Sequence, residues 1–152
     1  MHNHNADGCP SCSSIKPTAP ENPTDYRLTH WPIQINLMGT VVPFIQNADL
    51  LIAADCTAFA ALNFHERFLK NKKVLIGCPK LDNSQNYIEK FTEIFSQNPI
   101  QKVTCLRMEV PCCGGMTAIL KEAITRSKHS IPMTEIIIGV KGDLLSEKSI
   151  LR

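Results

Sequence analysis

Apolar residues occur in four short, largely continuous runs along the chain, and each run is bounded by polar residues, glycine or proline. The runs span residues 50–54, 74–77, 102–110 and 135–140. Runs of this length are typical of strands that are buried on both faces, as parallel strands are when helices cover each side. The pattern therefore predicts about four strands.

Helical periodicity fills the intervals between these runs. Apolar residues within 87–95 recur at i, i+1, i+4, i+7 and i+8, which is one stripe of a 3.6-residue period, and residues 116–124 repeat a closely similar pattern. Residues 57–69 predict a further helix, at least from Asn63, whose side chain can cap its first turn. Three strand–helix–strand units predict a three-layer α/β domain, with a mostly parallel sheet of about four strands and flanking helices.

The first 25 residues differ in composition from the rest of the chain. They carry four prolines among Ser, Thr and Asn, with few apolar side chains, so burial cannot offset the entropy of ordering them. The sequence thus predicts a flexible, cysteine-containing tail at residues 1–25 and a single α/β domain at residues 26–152. Alternating apolar and polar residues over 31–37 predict an extended, half-buried segment lying on that domain.

Charge and hydropathy argue against two classes of partner. Sixteen Lys and Arg residues against 14 Asp and Glu leave a net charge of +2, which is too small and too dispersed to indicate binding to nucleic acid or to an anionic membrane. No apolar segment approaches the ~18 residues of a membrane span, and the polar N-terminus does not resemble a secretory signal. We therefore expect a cytoplasmic protein without membrane insertion.

Cysteine is the unusual component of the sequence. The seven cysteines are Cys9, Cys12, Cys56, Cys78, Cys105, Cys112 and Cys113. An odd number of thiols in a reducing compartment favours metal binding or redox chemistry over a disulfide framework.

Four of these cysteines follow predicted strands. Cys56 follows the first strand, Cys78 ends the second, and Cys112 and Cys113 follow the third. The carboxyl ends of parallel strands lie at one edge of the sheet, where such sheets bind ligands, so the four thiols are expected to converge there. Four thiolates are the ligand set of a 4Fe–4S or a 2Fe–2S centre. The spacing thus predicts an iron–sulfur cluster, most simply 4Fe–4S.

Three further residues are assigned to cofactor binding. Gly114 and Gly115 allow the backbone to approach a ligand closely, and they begin a helix whose free N–H groups favour an anionic cluster. Arg107 lies near the carboxyl end of the third strand, where a buried charge needs a partner. That partner is expected to be Glu109, Asp55 or the cluster itself.

Zinc is the alternative metal, because zinc sites with four cysteines are common. Such sites usually contain a C-x2-C pair, whereas Cys112 and Cys113 are adjacent. Both sulfur atoms would have to reach one small ion, but a cluster offers them two different irons. The adjacent pair therefore favours iron–sulfur over zinc.

The remaining candidates have competing interpretations. Cys105 lies inside the third strand and is expected to be structural. His65 is a surface histidine, or a neighbour of the metal site if its helix begins near Asn63. Cys9 and Cys12 form a C-x2-C pair without the strand and helix of a thioredoxin-like motif. They are either exposed thiols or extra ligands that complete an atypical or double cluster.

Three cysteine-containing segments together resemble a known family. They are Asp55-Cys56, Gly77-Cys78-Pro79-Lys80-Leu81-Asp82 and Glu109-Val110-Pro111-Cys112-Cys113-Gly114-Gly115. In these segments, and in His30-Trp31-Pro32, the chain resembles small prokaryotic iron–sulfur proteins, some of which are joined to a ferredoxin-type domain and labelled iron–sulfur binding oxidoreductases. The likeness runs from about Leu28 to Gly142. It implies a cluster and an electron-transfer context, with a ferredoxin or another redox protein as partner.

The expected function is electron transfer, as a partner or subunit of a redox system. A cluster-dependent reductase and a zinc-stabilised binding module are the alternatives, and a homo-oligomer is compatible with each. The sequence contains no C-x2-C-x2-C-x3-C ferredoxin run, no G-x-G-x-x-G after a strand and no P-loop. The first absence means that the activity of the ferredoxin module cannot be carried over, and the other two weaken an independent nucleotide-dependent enzyme. Whether the protein is an enzyme stays open.

Overall fold

A single sheet of five strands forms the centre of the domain in the computed structural model, which describes residues 26–152. The strands are β1 (Ala48–Ala54), β2 (Lys73–Gly77), β3 (Ile100–Met108), β4 (Met133–Ile138) and β5 (Leu144–Leu151). Their order is β2-β1-β3-β4-β5, with the first four parallel and β5 antiparallel to β4. The predicted α/β class and mostly parallel sheet are confirmed. The predicted tail, with Cys9 and Cys12, lies outside the described residues.

The fifth strand is an element that the hydrophobic pattern did not predict. Its sequence, Leu-Leu-Ser-Glu-Lys-Ser-Ile-Leu, has neither a continuous apolar run nor strict alternation. β5 lies at the sheet edge, and all of its residues are exposed or half-buried. A strand that buries so little surface leaves only a weak hydrophobic signal in the sequence.

Two long helices cover one face of the sheet, here called the front face. They are α2 (Ser84–Gln97) and α3 (Gly114–Ser127), and they pack over the larger of two apolar clusters. Asn83 caps α2, because its side chain accepts a hydrogen bond from a first-turn backbone N–H at 3.0 Å. Within residues 26–152, we find no helix with the length and apolar character needed to cross a membrane.

The back face is covered by the connection between β1 and β2. This connection forms a one-turn helix, α1 (Thr57–Ala60), and a five-residue π-helix (His65–Leu69). Helical structure therefore begins just after Asn63, as expected, but it is not continuous with the turn at Thr57, and the predicted cap at Asn63 was wrong. Asn63 has a φ of 55°, a left-handed conformation that turns the chain instead of capping a helix. Phe64 and Phe68 then bury their rings against the sheet, which completes the third layer.

The segment that precedes β1 covers the outer edge of β2. The backbone N–H of Ile76 donates to the carbonyl of Ile33 at 2.7 Å, and Gln34 forms a parallel bridge with Ile76. The segment predicted over 31–37 therefore lies alongside the sheet as far as Gln34, after which the chain turns into a 3-10 helix (Ile35–Leu37). One edge of the sheet is thus covered by this segment, and the other is formed by β5.

His30 should make the fold sensitive to mild acid. It is 2% exposed, and its Nε2 lies 2.8 Å from the carbonyl oxygen of Val74. Burial lowers its pKa below the ordinary 6.5; the bond to Val74 opposes this effect, and the charge of Lys73 reinforces it. Below pH 6.5 the unfolded chain therefore binds a proton that the folded chain does not. The free energy of unfolding should fall by at most about 1.4 kcal/mol per pH unit between the unfolded and folded pKa values.

Urea unfolding at about pH 7.5 and about pH 5.5 measures this loss. In His30→Gln, the side-chain amide can still donate to the carbonyl of Val74 but does not titrate. The loss of stability on acidification should therefore be smaller in this variant than in the wild-type protein. An equal loss in both proteins would assign the acid sensitivity to other groups.

Candidate metal centre

The carboxyl ends of three neighbouring strands carry the four predicted ligands. β1 lies between β2 and β3, so the residues that follow these strands share one edge of the sheet. Cys56 follows β1, Cys78 follows β2, and Cys112 and Cys113 follow β3. The structure thus places these four cysteines at the edge where the sequence predicted them, here called the cysteine edge.

At the cysteine edge, the chain leaves β1 and β3 toward opposite faces of the sheet. The connection after β1 crosses the back face, whereas α3, after β3, crosses the front face. The strand order reverses at this point, since β1 leads to β2 on one side and β3 leads to β4 on the other. Ligands of open parallel sheets bind at such a reversal. Cys56 and Cys113 follow the two strands that flank it.

Direct contacts join the loops that carry the cysteines. A Cβ atom on Gly115 would lie 3.4 Å from Pro79 Cβ, so the start of α3 touches the loop after β2. The N–H of Asp55 donates to the carbonyl of Gly77 at 3.0 Å, which ties the loop after β1 to the end of β2. An added Cβ on Gly114 would meet nothing within 4 Å. Gly115 therefore serves the close packing of the loops, and Gly114 borders open space.

Cys113 lies close enough to the other three thiols to be affected by their charges. Cys113 is 6% exposed, Cys78 is half-buried, and Cys56 and Cys112 are exposed. Burial raises the pKa of the Cys113 thiol, a hydrogen bond with the backbone of Met108 lowers it, and the other three thiols raise it further. Four thiolates at this edge would repel one another.

Single-ion sites and clusters require different spacings of their thiolate ligands. A tetrahedral zinc ion has Zn–S bonds of about 2.3 Å, which places its sulfur ligands about 3.8 Å apart. An iron–sulfur cluster gives each thiolate a different iron and therefore spreads the sulfur atoms more widely. Within residues 26–152, no three His, Cys, Asp or Glu side chains are grouped so as to hold one metal ion.

The ion-pair partner of Arg107 differs from those that the sequence suggested. Arg107 Nε donates to Glu135 Oε2 at 2.9 Å, and neither Asp55 nor Glu109 is its partner. Burial would raise the pKa of Glu135, but hydrogen bonds from Thr117 and Arg107 outweigh that effect and lower it. Arg107 thus links β3 to β4, and its assignment to cofactor binding stays a prediction.

A buried tyrosine anchors the loop that carries Cys78. The Tyr87 hydroxyl donates a hydrogen bond to Asp82, whose backbone N–H donates to the carbonyl of Cys78 at 2.9 Å. Burial and the bond to Asp82 raise the pKa of Tyr87, so the hydroxyl keeps its proton. Burial and the charge of Asp82 also raise the pKa of Asp55. In the sequence Tyr87 is only one member of the α2 stripe, so its link to this loop had no local signal.

Exposed apolar side chains, here called the apolar rim, lie in the connections that follow the strands at the cysteine edge. Phe59 is 95% exposed and Leu62 71% exposed after β1, Leu81 is 84% exposed after β2, and Val140 is 61% exposed after β4. Grouped apolar side chains with this exposure are typical of a surface that contacts another molecule. The cysteine edge therefore combines accessible thiols with a surface suited to docking.

Cys105 and His65 occupy the positions expected of structural and surface residues. Cys105 is fully buried in the front core, with its Sγ 3.6 Å from Thr117 Oγ1. Burial is the main reason that its pKa rises to about 12, so this thiol stays protonated at neutral pH. His65 is exposed, and its Nδ1 lies 2.9 Å from the carbonyl oxygen of Tyr26. The structure supports a packing role for Cys105 and a surface location for His65.

A mostly parallel sheet with helical layers on both faces defines an open, doubly wound α/β domain. The chain belongs to the Rossmann-like domain family, which matches residues 42–152. It is also similar to an uncharacterized protein of Archaeoglobus fulgidus, with 29% identity over 112 residues, which is 74% of this chain and 79% of that protein. No solved structure matches the chain significantly.

Family membership establishes the fold and leaves the ligand to be argued from the site. The residues after β1 are Asp55-Cys56-Thr57, without the glycine-rich turn that binds dinucleotides in many sheets of this kind. A cysteine thus stands at the point where a phosphate-binding turn would otherwise begin.

Proposed function

We propose that the protein binds one 4Fe–4S cluster through Cys56, Cys78, Cys112 and Cys113 and that it transfers electrons. The observation that carries this proposal is the arrangement of these thiols on three neighbouring strand ends, with Cys113 in the electrostatic field of the other three. Four cysteine thiolates are the common ligand set of such a cluster. When bound, the cluster supplies reversible electron transfer at the sheet edge.

The surroundings of the thiols suit an anionic centre. α3 begins at Gly114, directly after Cys113, and no side chain caps its N-terminus. The first N–H of the helix, that of Gly114, donates to the carbonyl of Pro111, but the positive end of the helix dipole still lies beside Cys112 and Cys113. A positive potential next to the sulfur atoms stabilises the negative charge of an iron–sulfur centre and tunes its reduction potential.

The exposure of the site supports electron exchange with another protein. Cys56 and Cys112 are exposed, so the site opens to solvent and a partner can approach it. The apolar rim offers that partner a contact surface around the thiols. Weak electron-transfer complexes need only small interfaces. We therefore propose a ferredoxin or another small redox protein as the partner.

Anaerobic purification followed by metal and sulfide analysis tests the proposed cluster. The protein should be brown and should contain about four irons and four acid-labile sulfides per chain. Its visible absorption should bleach when dithionite reduces it. A colourless protein that contains zinc without sulfide would contradict the cluster and would support the zinc-stabilised alternative.

We further propose that Cys9 and Cys12 take part in the same site, as extra ligands or as a cover that excludes water. The chain between Cys12 and Tyr26 can extend to about 50 Å, so both thiols can reach the cysteine edge. The double variant Cys9→Ser/Cys12→Ser should therefore change the iron content per chain, the absorption spectrum or the potential. Ser11→Ala, which keeps both thiols, is the matched control. Unchanged iron, spectrum and potential in the double variant would remove these two cysteines from the site.

A further inference from the structure

A surface cavity at the opposite end of the sheet concentrates positive charge. This basic cavity has a volume of about 220 Å³ and lies beside the start of β2. Within the described part of the chain, residues 26–152, the lining consists of Arg27, Lys70, Lys72, Lys73 and four uncharged residues, with no carboxylate among them. On a chain whose net charge is only +2, three lysines at one small cavity create a local potential that attracts anions.

Two lysines of the basic cavity contact uncharged groups. Lys73 Nζ donates to the hydroxyl of Thr29 at 2.7 Å, and Lys70 Nζ lies 5.6 Å from the centroid of the Tyr26 ring. Burial lowers the pKa of Lys73, which means that its charge is incompletely solvated. An anion in the basic cavity would add a charge-assisted hydrogen bond to each of these two ammonium groups.

The third lysine shares its carboxylate with a lysine outside the basic cavity. Lys72 Nζ is 4.0 Å from Asp49 Oδ2, whereas Lys102 Nζ approaches the same oxygen to 3.1 Å. Asp49 therefore compensates Lys102 more strongly than Lys72. Among residues 26–152, three lysines thus face one cavity with a single, shared carboxylate beside it.

A tight turn gathers these lysines. The π-helix ends at Leu69 and β2 begins at Lys73, so Lys70, Asn71 and Lys72 form the turn between them. Asn71 adopts a left-handed conformation with a φ of 59°, and the N–H of Lys72 donates to the carbonyl of Leu69 at 2.9 Å. The backbone therefore holds the turn in place and directs several cations into one small volume.

We propose that the basic cavity binds a phosphate-type oxyanion, either free or as the phosphate group of a small organic molecule, through Lys70, Lys72 and Lys73. Thr29 and Asn71 supply uncharged donors beside them. Several charge-assisted hydrogen bonds suit a compact anion with several acceptor oxygens. The site is independent of the cysteine edge, because Lys73 begins β2, whereas the cysteine edge lies at its carboxyl end.

Titration of the full chain with inorganic phosphate tests this site. Phosphate should raise the Tm above that in sodium chloride of equal ionic strength, and calorimetric titration should show saturable binding. Lys70→Gln and Lys73→Met should each weaken the affinity for phosphate roughly tenfold or more, because each removes a charge-assisted hydrogen bond. Lys121→Gln is the matched control, since Lys121 is an exposed lysine on α3.

Adenosine 5′-monophosphate and adenosine distinguish the two sources of the phosphate group. Tighter binding of the nucleotide than of phosphate, without binding of adenosine, would identify a phosphate ester, whereas equal binding of nucleotide and phosphate would identify the free oxyanion. The proposal is overturned if phosphate acts no differently from chloride, or if adenosine binds as well as its monophosphate. It is also overturned if Lys70→Gln, a change at an exposed residue that leaves the fold intact, binds phosphate as the wild-type protein does.

Discussion

Replacing Cys113 by alanine should remove most of the iron and acid-labile sulfide from the protein, whereas the same change at Cys105 should leave both in place. Cys113 is 6% exposed and lies in the electrostatic field of the three other thiols of the cysteine edge. Cys105 is fully buried in the front core beneath α3. Loss of the central thiolate leaves one iron of the cluster without its ligand and opens the buried side of the site.

The pair is informative because both substitutions delete a buried sulfur atom of the same size. Iron and sulfide per chain are measured after anaerobic purification, and urea unfolding of the metal-free proteins is measured alongside. Cys105→Ala should cost about 1 kcal/mol of folding free energy, as expected for a small cavity in the core. A deficit of iron confined to Cys113→Ala therefore cannot arise from general instability. Full iron in Cys113→Ala, or an equal loss in both variants, would show that the ligands are wrongly assigned.

Gly77→Ala should destabilise the protein by about 1–3 kcal/mol, the usual penalty for overpacking a filled site. A Cβ atom at Gly77 would lie 2.1 Å from the Tyr87 hydroxyl oxygen and 2.9 Å from Ile35 Cδ1. Tyr87 is fully buried, so its hydroxyl can move aside only by giving up its bond to Asp82. That bond anchors the loop after β2, and the variant should therefore also bind less iron at Cys78.

Gly114→Ala is the matched control for this substitution. A Cβ atom at Gly114 would meet nothing within 4 Å, and its φ of −59° suits alanine. The stability of the metal-free chain should therefore stay within about 1 kcal/mol of the wild-type value, with a gain as the expected direction. Urea unfolding of the metal-free proteins measures both variants. Equal urea midpoints for Gly77→Ala and the wild-type protein would show that the Tyr87 side chain moves aside without loss of folding free energy.

The hydrophobic pattern by itself determined the parallel core and the points where cysteines enter it. Continuous apolar runs are stable only when both faces of a strand are covered, so they indicate a parallel sheet between helices. Cys56, Cys78 and Cys113 come after three such strands and therefore had to share an edge, whatever the order of the strands. The apolar stripe over residues 87–95 likewise sufficed to predict α2, because this signal is local.

Only the tertiary structure decided the order of the strands and the partners of the polar side chains. β1 lies between β2 and β3 because the connection from β1 to β2 crosses the back face, whereas the connection from β2 to β3, which contains α2, crosses the front face. This order places the cysteine-bearing loops side by side. Arg107 pairs with Glu135, 28 residues away, and Lys73 with Thr29, 44 residues away. The local pattern of apolar residues indicates which side of a helix or strand is buried. Contacts between residues so far apart in the sequence depend instead on which strands and helices pack together, and the packing of the whole sheet determines that pairing.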